Sequence, residues 1–357
     1  MIYASLPYLT IFLLLLFLIY PYKNCSDYHR DSIKWMCLLL FVLFFGLHGP
    51  IGDDYEAYKS FYNGLASPLA GIKEFEPAFV LIAWSLKLLH LPFWCLLLTC
   101  SLFINLLLFR FLWHRDENMP FVLCIFLAMG GVMNEMNFLR STISLMLFAN
   151  SITYLTTRQT GKYMAINAIA ILFHYSSIIY LPLYFVLNKR APRKLIVYLM
   201  ILGFLFTFIH IPFLAPIKYL LDSFHLESLN TLTSYYLSTE MYLGPSLGTL
   251  ERLLTAFVVW YYYDKLTNTD IGRIAVNGFI LFYFCYAFFS TYAMLGIRTA
   301  NMFVFAYWLL WPLILQQISN SKVKAGVAIL MTIYMIERIV GLGALPQWRY
   351  SIEFFTN

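Results

Sequence analysis

The stretch FWCLLLTCSLFINLLLFRFLW, residues 93–113, decides the fold class. It is apolar apart from a few small polar residues and Arg110. A helix needs ~20 such residues to cross the ~30 Å hydrocarbon core of a membrane. Comparable apolar runs recur at Tyr8–Tyr20, Trp35–Leu47 and Ile274–Phe289, and none shows the two-residue alternation of a transmembrane β-strand. The sequence therefore predicts an all-α, polytopic integral membrane bundle.

The composition of the whole chain supports this class. Of 357 residues, 61% are hydrophobic and only 12% are charged, whereas about a quarter of a soluble domain is charged. The net charge of +6 is spread over short loops, which indicates membrane topology rather than nucleic-acid binding. The 6 cysteines form no CxxC or metal-ligand spacing, so we expect packing roles for them and neither metal nor cofactor. No internal repeat or linker is evident, so we predict a single transmembrane domain over residues 1–357.

Basic residues predict the orientation of this domain. Loops 21–34 and 188–194 are rich in lysine and arginine, and the positive-inside rule therefore places both in the cytoplasm. The N-terminus and the loops 49–76 and 212–248 then lie on the outer face, where we expect the two loops to contribute to an active site.

Two segments complicate the number of spans. Pro77–Leu91 is short for a crossing and is followed by Pro92. Residues 163–187 carry the polar sequence around His174 at their middle and are interrupted by Pro182. We interpret both segments as re-entrant or short, which leaves about ten full spans. Twelve spans result if both segments cross.

Arginines stand close to the predicted outer ends of several spans. These residues are Arg140, Arg252, Arg298 and Arg338. Positive charge on this side runs against the usual bias and is costly at membrane depth. An arginine fork suits bidentate phosphate recognition, whereas snorkelling or pairing with nearby acids, such as Glu251 beside Arg252, is the alternative.

Loop 49–76 contains the densest group of acids in the chain. Asp53 and Asp54 follow directly on a span and precede Tyr55 and Tyr58, which have helical spacing. One interpretation is that an aspartate caps a short helix. The other is that a carboxylate at the membrane surface acts as a general base or orients a sugar hydroxyl.

Further polar residues interrupt the apolar sequence near the same face. They include Glu76, Asn137, Arg140 and His174, although a lone histidine in an apolar segment is commonly a packing residue. Loop 212–248 adds four tyrosines that suit either stacking on sugars or an interfacial helix: Tyr219, Tyr235, Tyr236 and Tyr242. Carboxylates, arginines and a histidine together indicate a substrate with both hydroxyls and phosphate, such as a polyprenyl-diphosphate-linked sugar.

Three segments resemble motifs of the EpsG-like group of Wzy-type polysaccharide polymerases. Gly52-Asp53-Asp54-Tyr55-Glu56-Ala57-Tyr58 is similar to the GxDYxxY signature. Asn137-Phe138-Leu139-Arg140-Ser141 is similar to the NxxRQ segment, with serine in place of glutamine. Phe173-His174-Tyr175-Ser176-Ser177 matches the FHxS segment.

The resemblance extends to other parts of the chain. Glu76-Pro77, Arg298 and the terminal Pro346-Gln347-Trp348-Arg349-Tyr350 stand where the family pattern places similar residues. Order and spacing match over roughly residues 35–190 and more loosely beyond.

The resemblance implies an enzyme of the bacterial inner membrane that polymerises O-antigen or capsule repeat units on its periplasmic face. Donor and acceptor would both be oligosaccharides linked to undecaprenyl diphosphate, and the growing glycan would move to the new repeat unit. The leaving group is a diphosphate, so the chemistry requires no metal. Membrane lipid and a chain-length regulator protein are the other expected partners, and nucleic acid is not.

The family pattern also implies roles for individual residues. Asp54, assisted by Asp53 or Glu76, would act on the acceptor hydroxyl. Four basic side chains would neutralise the departing diphosphate: Arg140, Arg298, His174 and Arg252. Three further residues complete the predicted substrate-binding set: Tyr55, Tyr58 and Asn137.

Three other functions remain open on the sequence. A lipid-linked-oligosaccharide flippase would favour inverted repeats and charges throughout its depth, and neither is seen here. A membrane O-acyltransferase would use a donor on the cytoplasmic side. An O-antigen ligase also uses residues of outer loops, and only the set of motifs favours a polymerase over it.

Overall fold

Helices form almost all of the regular secondary structure. The computed structural model describes residues 2–113, 115, 118–209, 214–223, 234 and 242–352. Within these residues no β-strand is formed, and His48 and Ile352 make an isolated antiparallel bridge. The predicted all-α class is confirmed.

The contacts divide the chain into two compact units. The first unit consists of Met1–Val186 and Ser319–Asn357, and the second of Leu187–Ile318. The first contains the α-helices Ile2–Asn24, Asp27–Gly46, Tyr55–Gly64, Pro68–Gly71, Pro77–Leu88, Phe93–Trp113, Met119–Phe126, Val132–Met136, Leu139–Thr156, Thr160–Phe173, Tyr180–Val186 and Ser321–Ala344. The second contains Arg193–Phe206, Leu214–Ser223, Leu247–Tyr261, Tyr263–Leu266, Asp270–Phe288, Ala293–Asn301 and Phe305–Gln317. The single functional domain over residues 1–357 stays a prediction.

Several helices are long and apolar enough to cross a membrane. Among the described residues these are Tyr3–Asn24, Phe93–Trp113, Met119–Met136, Asp270–Phe288 and Ser321–Ala344. A sixth candidate is the pair Ala293–Asn301 and Phe305–Gln317, which is bent by 64°. These helices make the chain a multi-pass membrane protein, while the count of ten spans stays a prediction.

The short segment after loop 49–76 is a separate helix, as the sequence predicts. It spans Pro77–Leu88, and Pro77 occupies its first turn, where a missing N–H costs nothing. The helix ends just before His90, whose φ of 55° lies in the left-handed region. The long helix Phe93–Trp113 then begins directly after Pro92.

The second predicted interruption forms a helical hairpin. Thr160–Phe173 ends at His174, which is extended with φ −157° and ψ 115°. The Tyr163 hydroxyl donates to the carbonyl of Tyr180 at 2.6 Å, and the rings of Tyr163 and Tyr184 lie 5.1 Å apart. Residues so separated would be roughly 30 Å apart in one continuous helix, at ~1.5 Å per residue. The chain therefore folds back on itself with His174 at the turn, and its re-entry into a membrane stays a prediction.

The helix that leads to the Asn137 segment is irregular. Met119–Phe126 is followed by a kink at Leu127–Gly131, where Met129 has the non-helical angles φ −104° and ψ 53°, and then by the short helix Val132–Met136. Gly130 has a φ of 100° within this segment, a conformation open to glycine because it lacks a Cβ. The non-helical dihedral angles at Met129 and Gly130 break the helix just before Val132–Met136.

Candidate functional site

The carboxylate of Glu76 joins two of the predicted basic residues. It accepts a hydrogen bond from Nη1 of Arg140 and contacts Nδ1 of His174 at 3.1 Å. The backbone N–H of Tyr175 also donates to the carboxylate, at 3.3 Å. Glu76 is only 4% exposed, because it directly precedes the packed helix Pro77–Leu88. One buried carboxylate thus connects the second and third sequence motifs.

The environment of Glu76 keeps its carboxylate ionised. Burial by itself raises the pKa of Glu76, but the hydrogen bond from His174 and the charge of Arg140 lower it to about 2. A carboxylate with so low a pKa is a weak proton acceptor at neutral pH. Glu76 is therefore suited to hold its two partners rather than to remove a proton from substrate.

Arg140 lies between the carboxylate of Glu76 and the aromatic rings of Phe75 and Tyr58. Its guanidinium carbon is 4.3 Å from the centre of the Phe75 ring and 5.9 Å from that of Tyr58, within the range of cation–π attraction. Burial raises the pKa of Tyr58 to about 12, although the charge of Arg140 opposes this. The Arg140 side chain remains 22% exposed, so it is held in place yet accessible.

The first motif is attached to the second through Asn137. The side-chain Oδ1 of Asn137 accepts a hydrogen bond from the backbone N–H of Asp54 at 2.8 Å. Gly52 has a φ of 79°, and a Cβ at that position would lie 2.6 Å from the same Oδ1. Glycine is needed here for both its conformation and its size. Since Asn137 is three residues from Arg140, all three motifs meet within the first unit.

The acidic pair does not cap its helix in the way the sequence allows. Tyr55–Gly64 begins after Asp54, whose side chain makes no capping hydrogen bond. Asp53 lies outside the cap position and is exposed, so capping by either aspartate is wrong. The rings of Tyr55 and Tyr58 are 1% and 2% exposed and pack among other aromatic rings. Their substrate-binding role stays a prediction.

The terminal segment 346–352 packs against the first motif. The carbonyl of Gln347 accepts from the backbone N–H of Gly52 at 2.9 Å, and that of Ser351 from Gly49 at 2.8 Å. The buried hydroxyl of Tyr8 donates to the carbonyl of Trp348 at 2.8 Å. Because these are backbone carbonyls, residue identity gave no signal for the contacts. The site's other unpredicted neighbours, Phe75 and Tyr175, are ordinary aromatic residues in the sequence.

Comparison with known proteins bears on the motifs that meet at this site. A family model described as the EpsG family matches residues 33–340. The chain belongs to the EpsG family. Membership indicates a membrane protein of the polysaccharide-polymerase type. No curated protein and no solved structure matches the chain.

The remaining arginines predicted for this EpsG-family site lie in the second unit. Arg252 is buried on the helix Leu247–Tyr261 of the second unit, and its guanidinium carbon lies 3.6 Å from the centre of the Tyr286 ring. The carboxylate of its neighbour Glu251 accepts a hydrogen bond from the Tyr307 hydroxyl at 3.0 Å. Arg298 is on the helix Ala293–Asn301, also in the second unit. Their grouping with Arg140 in one site stays a prediction.

The tyrosines of loop 212–248 are only partly described. Tyr235 and Tyr236 lie outside the described residues. Tyr219 is exposed on the helix Leu214–Ser223, and the Tyr242 hydroxyl donates to the carbonyl of Thr207. The contribution of this loop to an active site stays a prediction.

An open apolar groove of about 260 Å³ runs beside the helix Pro77–Leu88. Its lining comes from Pro77–Leu88 and Phe93–Trp113 and consists of Leu81, Ile82, Ser85, Leu86, Thr99 and Phe103. The hydroxyls of Ser85 and Thr99 both donate to carbonyls of their own helices, so the groove offers hydrocarbon contacts. Among the residues described, no group of three or more His, Cys, Asp or Glu side chains is arranged to hold a metal ion.

Proposed function

We propose that this EpsG-family protein polymerises oligosaccharide repeat units linked to undecaprenyl diphosphate, producing an O-antigen or capsular polysaccharide. The growing glycan leaves its lipid diphosphate and is transferred to a hydroxyl of the next lipid-linked repeat unit. The reaction takes place at the periplasmic face of the bacterial inner membrane. Family membership supports the class of reaction, and the contacts of Glu76 with Arg140 and His174 support its chemistry.

The contact between Glu76 and His174 carries this proposal. An ionised carboxylate can only accept a hydrogen bond, so Nδ1 of His174 must be the donor. In the neutral ring this arrangement leaves Nε2 as the proton acceptor. The His174 side chain is 29% exposed, so substrate can reach the ring. The pair has the arrangement of a general base that a carboxylate orients.

The chemical step follows from this arrangement. Nε2 of His174 takes the proton from the acceptor hydroxyl as its oxygen bonds to the anomeric carbon of the donor. The bond from that carbon to the diphosphate breaks, and the electron pair leaves with the diphosphate. Asp54, placed by Asn137, orients the acceptor sugar. Glu76 is a positioning residue in this scheme.

A lipid diphosphate suits the surroundings of Glu76, Arg140 and His174, which are called the Glu76 cluster. Arg140 would neutralise the leaving group, a contribution that is large when donors are preorganised. The apolar groove lined by Leu81 and Phe103 lies along the helix Pro77–Leu88, which follows Glu76 in the chain, and has the chemistry to accommodate part of a polyprenyl chain. A lipid-linked sugar diphosphate satisfies both features at once.

A gel of surface polysaccharide tests the proposal. A host lacking the gene is complemented with wild type, His174→Ala or Asp54→Asn, each shown to reach the membrane at normal abundance. His29→Ala serves as the matched control because His29 is exposed and far from the motifs in sequence. We expect the null host to add single repeat units only, wild type and His29→Ala to restore the ladder, and His174→Ala to lose about 10²–10⁴-fold in rate.

Other results identify the alternative functions. A null host without any repeat-bearing polysaccharide would indicate a flippase or an earlier step. Accumulation of full-length polymer on its lipid carrier would indicate a ligase. A normal ladder that lacks acyl groups would indicate an O-acyltransferase. Each of these outcomes rejects the polymerase.

A further inference from the structure

A second carboxyl group, that of Glu135, is buried in the span Met119–Met136. Glu135 and Asn105 of the helix Phe93–Trp113 are both 0% exposed. Nδ2 of Asn105 donates to Oε2 of Glu135 at 3.1 Å. Within the described residues, Oε1 of Glu135 and Oδ1 of Asn105 have no hydrogen-bond partner. The two side chains that share one hydrogen bond therefore each leave one oxygen unpartnered.

An ionised Glu135 would fit this environment poorly. An isolated charge at membrane depth is costly, and such groups are normally paired with an opposite charge. In the described part of the chain, the neutral amide of Asn105 is the hydrogen-bond donor to Glu135, and no basic side chain forms an ion pair with it. Buried acceptors without a donor also lose the hydrogen bonds that they would make to water, which is a further cost.

One added proton on Glu135 would remove the buried charge and supply the missing donor between Oε1 of Glu135 and Oδ1 of Asn105. We propose that Glu135 is protonated in the folded protein and forms a cyclic acid–amide pair with Asn105. The acid O–H donates from Oε1 to Oδ1 of Asn105, while the amide N–H donates to Oε2. Both unpartnered oxygens are then satisfied, and no net charge remains in the span.

The pair acts as a positioning device for the site, a role that rests on the proposed function. Glu135 lies on Val132–Met136, which follows the kink at Leu127–Gly131 and directly precedes Asn137. The carbonyl of Asn134 on this short helix accepts from the Thr142 hydroxyl at 2.8 Å. The acid–amide pair fastens the same short helix to Phe93–Trp113. It thereby fixes the segment that delivers Asn137 and Arg140.

Infrared spectroscopy of the purified full-length protein tests the protonation state directly. The protein is prepared at neutral pH with glutamate labelled at the side-chain carboxyl carbon, as wild type, Glu135→Gln and Glu74→Gln. We expect the Glu135→Gln difference spectrum to lose a protonated C=O band. Glu74 is exposed, so its variant should lose only carboxylate bands. Loss of carboxylate bands alone in Glu135→Gln would overturn the protonated pair, whatever reaction the protein catalyses.

A pair of variants tests the positioning role. Glutamine can donate to and accept from Asn105, so Glu135→Gln should keep the ladder and the polymerisation rate. Glu135→Leu leaves both polar groups of Asn105 without this partner and should lower the rate about tenfold or more. Equal loss in both variants would reject the positioning role. A null host with a normal ladder would instead reject the polymerase and leave the infrared result standing.

Discussion

Replacing Glu76 by glutamine removes the charge that holds the candidate site together. The pKa of Glu76 is lowered from 4.5 to about 2, which corresponds to about 3 kcal/mol of stabilisation at pH 7. Because Glu76 is only 4% exposed, solvent screens this contribution little. The variant also leaves Arg140 partly buried without its carboxylate, which is costly by itself. We expect Glu76→Gln to unfold with a free energy lower by about 3 kcal/mol.

The assay is unfolding of the purified protein in mixed micelles by increasing SDS, followed by tryptophan fluorescence. Glu74→Gln is the matched control: Glu74 is two residues away and exposed, so its variant should stay within ~0.5 kcal/mol of wild type. Arg140→Gln supplies a second check. The double variant with Glu76→Gln should cost less than the two single changes added together, because the two residues share one ion pair.

The effect should depend on pH in a defined direction. A folded-state pKa below the unfolded value stabilises the protein above pH 4.5, and that stabilisation is lost as the pH falls towards 2. The difference between wild type and Glu76→Gln should therefore be full at pH 7 and roughly halved by about pH 3. A Glu76→Gln variant as stable as Glu74→Gln at pH 7 would show that the contacts of Glu76 with Arg140 and His174 do not stabilise the fold.

Three further changes test the contacts around the first motif. Gly52→Ala should destabilise the loop at Gly52 and lower the polymerisation rate, since Gly52 has a φ of 79° and the new Cβ would lie 2.6 Å from Oδ1 of Asn137. Gly64→Ala is the control in the same gel, because a Cβ at Gly64 meets nothing within 4 Å. Asn137→Ala should lower the polymerisation rate about tenfold, because it removes the buried hydrogen bond from the backbone N–H of Asp54. Asn137→Asp keeps an acceptor and should retain much of the rate. Equal loss in both variants would contradict a role for this hydrogen bond. Tyr8→Phe leaves the carbonyl of Trp348 without its buried donor and should lower the free energy of unfolding by about 1 kcal/mol, measured by SDS unfolding, whereas an unchanged midpoint would show that the contact contributes nothing.

The sequence predicted the fold class and its main interruptions well. An apolar run such as Phe93–Trp113 forms a helix in a membrane because a helix hydrogen-bonds every backbone N–H and C=O group within the segment. The short helix at Pro77 and the break at His174 were predicted because proline and polar residues interrupt an apolar run locally. The sequence left open whether an aspartate caps Tyr55–Gly64, and Asp54 makes no capping hydrogen bond. Side-chain orientation at a helix start depends on neighbours that a sequence pattern does not specify.

Part of the candidate site was also predictable. Family resemblance pointed to Glu76, Arg140 and His174 as separate residues of one enzyme. It assigned Glu76 to the acceptor hydroxyl beside Asp54, whereas its ion pairs favour a positioning role. Its partners are 64 and 98 residues away in sequence. No local sequence pattern specifies contacts over such separations, so the tertiary structure is needed to identify Arg140 and His174 as the partners of Glu76.

By itself, the sequence determined that this chain is a helical membrane protein of the EpsG family, because composition and motif order are properties of the chain. Tertiary structure alone decided that Glu76 binds both Arg140 and His174, that segment 346–352 closes on the loop at Gly52, and that Glu135 faces Asn105. The physical reason is that the protonation state of a buried polar group, and the strength of its hydrogen bonds, depend on the atoms within a few ångströms of it. Those atoms come from distant parts of the chain.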